Sequence, residues 1–172
     1  MSDTSLDIEK LKNLQFKIMK DVAASALIPL MRIGDQLGLF QKLSELGPIN
    51  SKKFAEEARV DERYLREWLY ALSATDFVSY DGAKEEFSLS PEQRAVFADE
   101  EGPANMMGAY EVLAGQVYAE EKVLEAFKTG NGVAYENACP LCFTGTARFF
   151  KPCLLYTSDA ADEGLGVDHG GR

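Results

Sequence analysis

Apolar residues recur along this chain at helical spacing almost everywhere, and only one short region alternates as strands do. Leu11, Leu14, Ile18 and Val22 step by three and four with charges between them, which predicts a helix from Leu6 to Lys20. An apolar stripe at a terminus needs a partner, and both its own domain and a second subunit are open to it. Ala23 to Leu46 continues helically, with Pro29 marking a break or kink and Ile33, Leu37, Phe40 and Leu43 as its apolar face. Gly38 interrupts that pattern and Gly47-Pro48 stops it.

The stretch from Ile49 to Leu89 carries the most information. Asn50 or Ser51 can cap a short helix to Ala58, because a side-chain oxygen there satisfies an orphan N–H of the first turn. After a break at Arg59-Val60, Asp61 can cap a second helix with Leu65, Trp68, Leu69 and Leu72 on one face. Phe77 to Tyr80 and Glu86 to Leu89 read as short strands, turned by Asp81-Gly82, a dipeptide that tolerates positive φ. Helix, tight turn, helix and hairpin form the outline of a winged helix-turn-helix. The fold class expected is mainly α: a helical bundle with this module and one small β-hairpin.

Beyond the wing, Ser90-Pro91-Glu92-Gln93 fits a capping box with proline at the first helical position. Asp99-Glu100-Glu101-Gly102 reads as a solvated acidic turn. Pro103 is expected to open a helix placing Met107, Tyr110, Leu113 and Val117 on one side. Such a stripe is read as core, with the lining of an apolar ligand pocket as the alternative. A helix from Glu120 to Lys128 should stop at Gly130 after a basic last turn. Asn131 to Thr144 is expected as loop, and Gly145 to Phe150 as the start of another helix.

Charge and the end of the chain change this picture. The 172 residues carry a formal charge of −10, which disfavours unspecific attraction to nucleic acid or anionic membrane. No apolar run approaches the roughly 20 residues of a membrane span. The polar start has no signal-peptide core, and three cysteines make no disulfide framework, so a reducing, cytoplasmic setting is expected. From Cys153 the composition shifts. Cys153-Leu154-Leu155-Tyr156-Thr157-Ser158-Asp159-Ala160-Ala161-Asp162 resembles a translated sequencing adapter of the transposase type, TGT CTC TTA TAC ACA TCT GAC GCT GCC GAC. Residues 153–172 are therefore read as non-native and the chain as a piece cut after Lys151-Pro152. The only histidine, His169, goes with that tail, so the native part, net −7, offers no histidine pair or ligand.

Candidate chemistry is sparse. Cys139-Pro140-Leu141-Cys142 has C-x-x-C spacing, but a zinc ribbon needs a second pair. Thioredoxin-like chemistry needs a strand before the motif and a helix after it, where a loop is expected to precede. Gly130-Asn131-Gly132 lacks the strand and third glycine of a dinucleotide loop. Neither metal ligands nor catalytic residues are assigned. DNA binding by the winged helix would require a basic surface, yet Ile49 to Leu89 holds six basic and nine acidic residues. Nucleic acid is not an expected partner, and neither is a membrane.

Arg32-Ile33-Gly34-Asp35-Gln36-Leu37-Gly38-Leu39-Phe40, the capped helix pair, and Arg66-Glu67-Trp68-Leu69-Tyr70-Ala71-Leu72 resemble the N-terminal region of class I S-adenosylmethionine-dependent methyltransferases. The likeness is to the group in which a winged-helix domain precedes an α/β Rossmann-like catalytic domain, as in small-molecule O-methyltransferases. Phe127-Lys128-Thr129-Gly130 and Tyr135 extend it, so that it spans about Asp21 to Pro152. The resemblance implies a parent methyltransferase acting on a small molecule, with S-adenosylmethionine held by a domain beyond Pro152 and none bound by this piece. It implies a dimerisation and substrate-lid role for the winged helix, a homodimer, and Tyr135, Phe143 and Arg148 as residues near substrate or cofactor. The C-x-x-C sequence departs from the family pattern beside Phe143. The organisation implied is a dimerisation arm over 1–22, a winged-helix domain over 23–98 and a helical linker over 99–152, followed by the tail at 153–172. The alternative reading is a winged-helix module of the transcription-regulator type.

Overall fold

A computed structural model describes residues 6–151; the tail read as adapter-derived lies outside the described residues. The chain folds as helices around one hairpin. Asp7 caps α1 (Ile8–Ser25) by accepting from the Glu9 and Lys10 amides. α1 runs straight through the first expected helix boundary and breaks only at Ala26, and none of its residues is buried. α2 (Leu27–Gln36) has Pro29 inside its first turn, where a missing N–H costs nothing, so the expected break falls at Ala26, three residues before the proline. Gly38, at φ 64°, ends α2 and starts α3 (Leu39–Leu46), which Gly47 closes at φ 71°.

The expected apolar face over this region is half right. Phe40 and Leu43 are fully buried, but Ile33 and Leu37 are exposed. The turn at Gly38 changes the helix axis, so a periodicity counted straight through it picks the wrong residues of α2. Met31 points inward instead, with Leu27 and Leu30 packed beside it.

The winged helix forms as expected in outline. Asn50 caps α4 (Ser51–Ala58) through the Lys53 amide, and Asp61 caps α5 (Glu62–Ser73) through the Tyr64 amide. Arg59 takes the left-handed conformation between them, φ 56°, so that the Val60 amide reaches back to the Ala55 carbonyl. Leu65, Trp68, Leu69 and Leu72 are all buried. β1 (Ser79–Asp81) pairs antiparallel with β2 (Glu86–Ser88), Tyr80 facing Phe87. The turn differs from expectation. Its loop is four residues, Gly82 to Glu85, and the positive φ falls on Glu85. Asp81 contributes through its carboxylate, which accepts from the Ala83 and Lys84 amides. Ile49 bridges β2 on its other side, with paired hydrogen bonds of 2.9 and 3.0 Å to Phe87.

Ser90 and Gln93 make the full capping box of α6 (Pro91–Phe97). The Gln93 amide nitrogen also donates to the Asp76 carbonyl, fastening the helix to the approach of β1. Pro103 opens no helix. α7 (Met107–Tyr118) starts four residues later, where the Asn105 side chain accepts from the Met107 amide and donates to the Asp99 carbonyl. α8 (Glu120–Thr129) ends at Gly130, φ 74°. A 3-10 turn (Tyr135–Asn137) leads into α9, a helix over residues 140–151, so the expected loop to Thr144 is in fact helical from Pro140. Proline at the first helical position, after Cys139, is the start signal that was overlooked.

α9 lies on α7 at backbone contact. A Cβ on Gly108 would come within 2.5 Å of the Phe149 nitrogen, and one on Gly145 within 2.7 Å of the Val112 nitrogen. Gly115 meets Cys142 in the same way. The core itself sits between α2, α3, α5 and the hairpin. Phe40 packs on Trp68 and on Phe97, with ring centroids 5.2 and 5.4 Å apart, and the Trp68 indole N–H donates to the Leu30 carbonyl at 2.8 Å. Gly34 is what admits the indole: a Cβ there would stand 2.4 Å from Trp68 Cζ2 and 2.7 Å from Phe40 Cε2. Gly34→Ala should therefore lower stability, by up to about 2 kcal/mol, in denaturant unfolding. Alanine's helix preference, worth about 1 kcal/mol, works against an overpacking cost of roughly 1–3 kcal/mol.

Candidate functional site

Three surfaces compete for function. The first is apolar. Ile28 of α2, Leu113 and Val117 of α7, Val123, Leu124 and Phe127 of α8, and Cys142 of α9 line an open trough of about 870 Å³, with Gln116 and Glu120 at its margin. A second hollow of about 520 Å³ adjoins it, sharing Ile28 and Leu113 and reaching Tyr110, Phe77 and the end of α1. The expected stripe on α7 thus divides. Met107 is core, Tyr110 is half-buried with its hydroxyl pKa raised by desolvation, and Leu113 and Val117 face the trough and solvent. Phe127 is 86% exposed, an unusual state for a phenylalanine beside other apolar side chains. α1 adds Leu14, Phe16, Ile18, Met19 and Val22, all exposed. Such surfaces bind apolar matter and do no chemistry alone.

The second feature is ionic. Arg148 of α9 grips Asp35 of α2 with both terminal nitrogens, at 2.7 and 2.8 Å, and its remaining donors go to Glu100 of the acidic loop. Arg32 holds Asp35 from the other side at 3.1 Å and Glu111 of α7 at 3.6 Å. Thr144 of α9 donates to Glu111, and Lys151 pairs with Glu101 at 2.6 Å. Two guanidiniums thus meet three carboxylates at the junction of α2, α7, α9 and the loop. Asp35 has only 8% of its side chain exposed and Arg148 23%. The Asp35 hydrogen bonds raise the Arg148 pKa against the opposing effect of desolvation, with Glu100 adding to the rise, so its charge is permanent. The acidic turn at 99–102, expected to be merely solvated, is one wall of this junction.

The third surface is the one a DNA-binding winged helix would present. On α5 the exposed positions are Arg63, Tyr64, Glu67 and Tyr70. Arg66 is held by Glu62 at 3.2 Å, and Lys84 in the hairpin loop by Asp81 at 3.5 Å. Tyr80 stacks on Phe87 across the hairpin, and Tyr70 of α5 meets both rings edge to face. Lys52, Lys53, Arg59 and Arg63 stay exposed, and the nine carboxylates of residues 49–89 outnumber the six cations.

Of the residues marked from sequence, Tyr135 and Phe143 come together, with ring centroids 4.4 Å apart, at the entry to α9. Their turn is tied to α8 by Lys122, whose ammonium donates to the Asn137 carbonyl at 2.6 Å. Tyr135 remains 76% exposed. Arg148 is engaged in the ionic junction. Sequence reading missed its partners Asp35, Glu100 and Glu111, and Arg32, which shares two of those carboxylates. The signal was available: Arg32 and Asp35 stand three apart with opposite charge in an otherwise apolar segment. Among the described residues no group of three His, Cys, Asp or Glu gathers as for a metal, and no helix is long and apolar enough to cross a membrane.

Arg148→Ala should cost about 2–3 kcal/mol in denaturant unfolding, less than the roughly 3–5 kcal/mol of a fully buried pair because part of the guanidinium is wet. In a double-mutant cycle with Asp35→Asn the two changes should be non-additive by about 1 kcal/mol or more. Additive losses would show that the pair does not act as one unit.

Comparison with known proteins places this geometry. Residues 23–98 match the family model of the Rv2258c-like winged HTH domain. No curated protein matches the chain significantly in sequence. Among solved structures, the fold is similar to N,N-8-amino-8-demethyl-D-riboflavin dimethyltransferase from Streptomyces davawensis, at 20% identity and TM-score 0.56 over 94% of this chain and 48% of that one. Human N-acetylserotonin methyltransferase, solved in complex with SAM, is similar at 13% identity and TM-score 0.56, over 92% of this chain and 46% of its own. A candidate O-methyltransferase from Nostoc punctiforme is similar at 17% identity and TM-score 0.55, over 95% and 47%. The chain spans about half the length of each of these structures.

Proposed function

We propose that this chain, whose residues 23–98 match the model of the Rv2258c-like winged HTH domain, is the N-terminal dimerisation and substrate-lid part of an S-adenosylmethionine-dependent methyltransferase acting on a small molecule. The observation that carries the reading is where the free surface lies. The exposed apolar faces are on α1 and in the α7–α8 trough, while the winged helix itself is net acidic. Apolar surface of that extent is stabilised by another protein surface. The likeness of fold to about half of the riboflavin-derivative and N-acetylserotonin methyltransferases supports the rest.

The partner in this reading is a second copy of the chain. α1 presents Lys10, Lys12, Lys17 and Lys20 against Glu9 and Asp21, and α8 carries Glu120, Glu121 and Glu125 against Lys122 and Lys128, so the two helices differ in the sign of their net charge. The two faces complement one another in both polarity and charge. Within this arrangement 1–22 is the arm, 23–98 the winged-helix body and 99–152 the helical link towards a catalytic domain. The described residues do not fit the cofactor. A nucleoside held in the usual way needs a strand ending in an acidic residue with a glycine-rich turn behind it, and the strands described here form only a short antiparallel hairpin. S-adenosylmethionine belongs, in this proposal, to a domain outside residues 6–151, and this piece alone is inactive. Tyr135 and Phe143 remain the side chains offered to a small substrate; Arg148 serves to place α9.

Sedimentation velocity tests the dimer. The chain should sediment as twice its mass at micromolar concentration, and Ile18→Lys in α1 or Val117→Lys in α7 should each return it to a monomer with unchanged circular dichroism. A parent chain that stays monomeric would remove the dimerisation role.

The regulator reading makes the opposite forecast for nucleic acid. Titration with duplex DNA at physiological salt should show no measurable complex, because a phosphate-binding surface gains affinity by releasing counterions and this one is net acidic, nine carboxylates against six cations. A salt-sensitive submicromolar complex would favour a transcription regulator.

A further inference from the structure

Cys139 and Cys142 stand one turn apart at the entrance of α9. The Cys142 amide donates to the Cys139 carbonyl at 2.9 Å, and such a closed four-residue turn brings its end Cα atoms within about 7 Å. A disulfide spans about 4.4–6.8 Å between Cα atoms. Both thiols are free and half-buried. Pro140 between them fixes the first helical residue, so the spacing is held by the helix start and not by a flexible loop.

The surroundings narrow what such a dithiol can do. Two sulfurs alone make no closed tetrahedral zinc site, and no third His, Cys, Asp or Glu joins them among the described residues. Cys142 packs against α7 so closely that a Cβ on Gly115 would come within 2.7 Å of its sulfur. Its pKa is raised by burial and by Cys139, which marks it as the less reactive thiol towards outside reagents. It also lines the apolar trough.

We propose that Cys139 and Cys142 form a reversible dithiol–disulfide pair on the wall of the trough, exchanging with a small disulfide of the glutathione type. Cys139, deprotonated, attacks one sulfur of glutathione disulfide and releases a glutathione thiolate. Cys142 then gives up its proton, attacks the Cys139 sulfur and releases the second glutathione. The protein loses two electrons and two protons, and the glutathione disulfide, reduced to two thiols, takes them up. The folded helix start brings the sulfurs together, so the pair closes without passing through a lasting mixed adduct.

The test uses the full chain with Cys153→Ser, so that the third cysteine, outside the described residues, takes no part. The chain is equilibrated with mixtures of reduced and oxidised glutathione, quenched with acid and weighed intact. The expected product is two hydrogens lighter than the reduced chain, carries no glutathione, and reverts with dithiothreitol. Adding Cys142→Ser should trap a single glutathione on Cys139. The same titration in denaturant should need a several-fold more oxidising mixture to reach its midpoint. Stable adducts on both cysteines, a chain that stays reduced in fully oxidised glutathione, or equal midpoints folded and unfolded would each overturn the proposal.

Discussion

Everything in the winged-helix body depends on how near α2 can come to α5. That distance is set by the absence of one side chain, at Gly34, where the Trp68 ring takes the space that a Cβ would fill. The indole is then wedged between the α2 backbone and Phe40, and its N–H reaches the Leu30 carbonyl, so an aromatic of mixed character is satisfied at both ends. From that wedge the order of the core follows. Phe40 leads to Phe97 and Phe77, which hold α6 and the approach to β1, and Leu69 and Leu72 carry α5 onto the hairpin.

A second layer is fixed by different physics. α7 and α9 touch through glycine backbones, and α9 is then held to α2 and the acidic loop by Arg148 and its carboxylates. Dispersion at short range sets the separation, while charge pairing of fixed geometry sets the rotation. An ion cluster of this kind adds little net stability over apolar packing, because desolvation offsets most of its attraction. Its use is to admit one orientation of α9. That orientation places Cys142 in the trough and Phe143 against Tyr135.

Much of this was legible in the residues. The capped helix pair, the buried face of α5, the capping box at Ser90 and the helix stop at Gly130 were all local signals, and local signals survive without tertiary knowledge. The winged-helix outline was visible in the same way, and so was the acidic character of the wing. What failed were features that depend on neighbours distant in sequence. Ile33 and Leu37 fit a stripe that the turn at Gly38 rotates out of register. The start of α9 was hidden because Pro140 was read as part of a cysteine motif and not as a first helical residue. Asp35 and Arg148 are 113 positions apart, and nothing in either segment alone announces the other. The glycines of α7 drew no reading from sequence, yet they are the places where another backbone passes.

Those glycines have a genetic consequence. Gly108, Gly115 and Gly145 are each met by another backbone or a sulfur at a distance that no Cβ can share. A glycine codon has no missense neighbour that lacks a Cβ, so none of these three positions offers natural variation a gentle step. Elsewhere in the chain a lineage can drift through leucine, isoleucine and methionine at little cost. At the α7–α9 seam it can only stay where it is or shift two helices together, and relatives that depart from glycine there should show the departures in company.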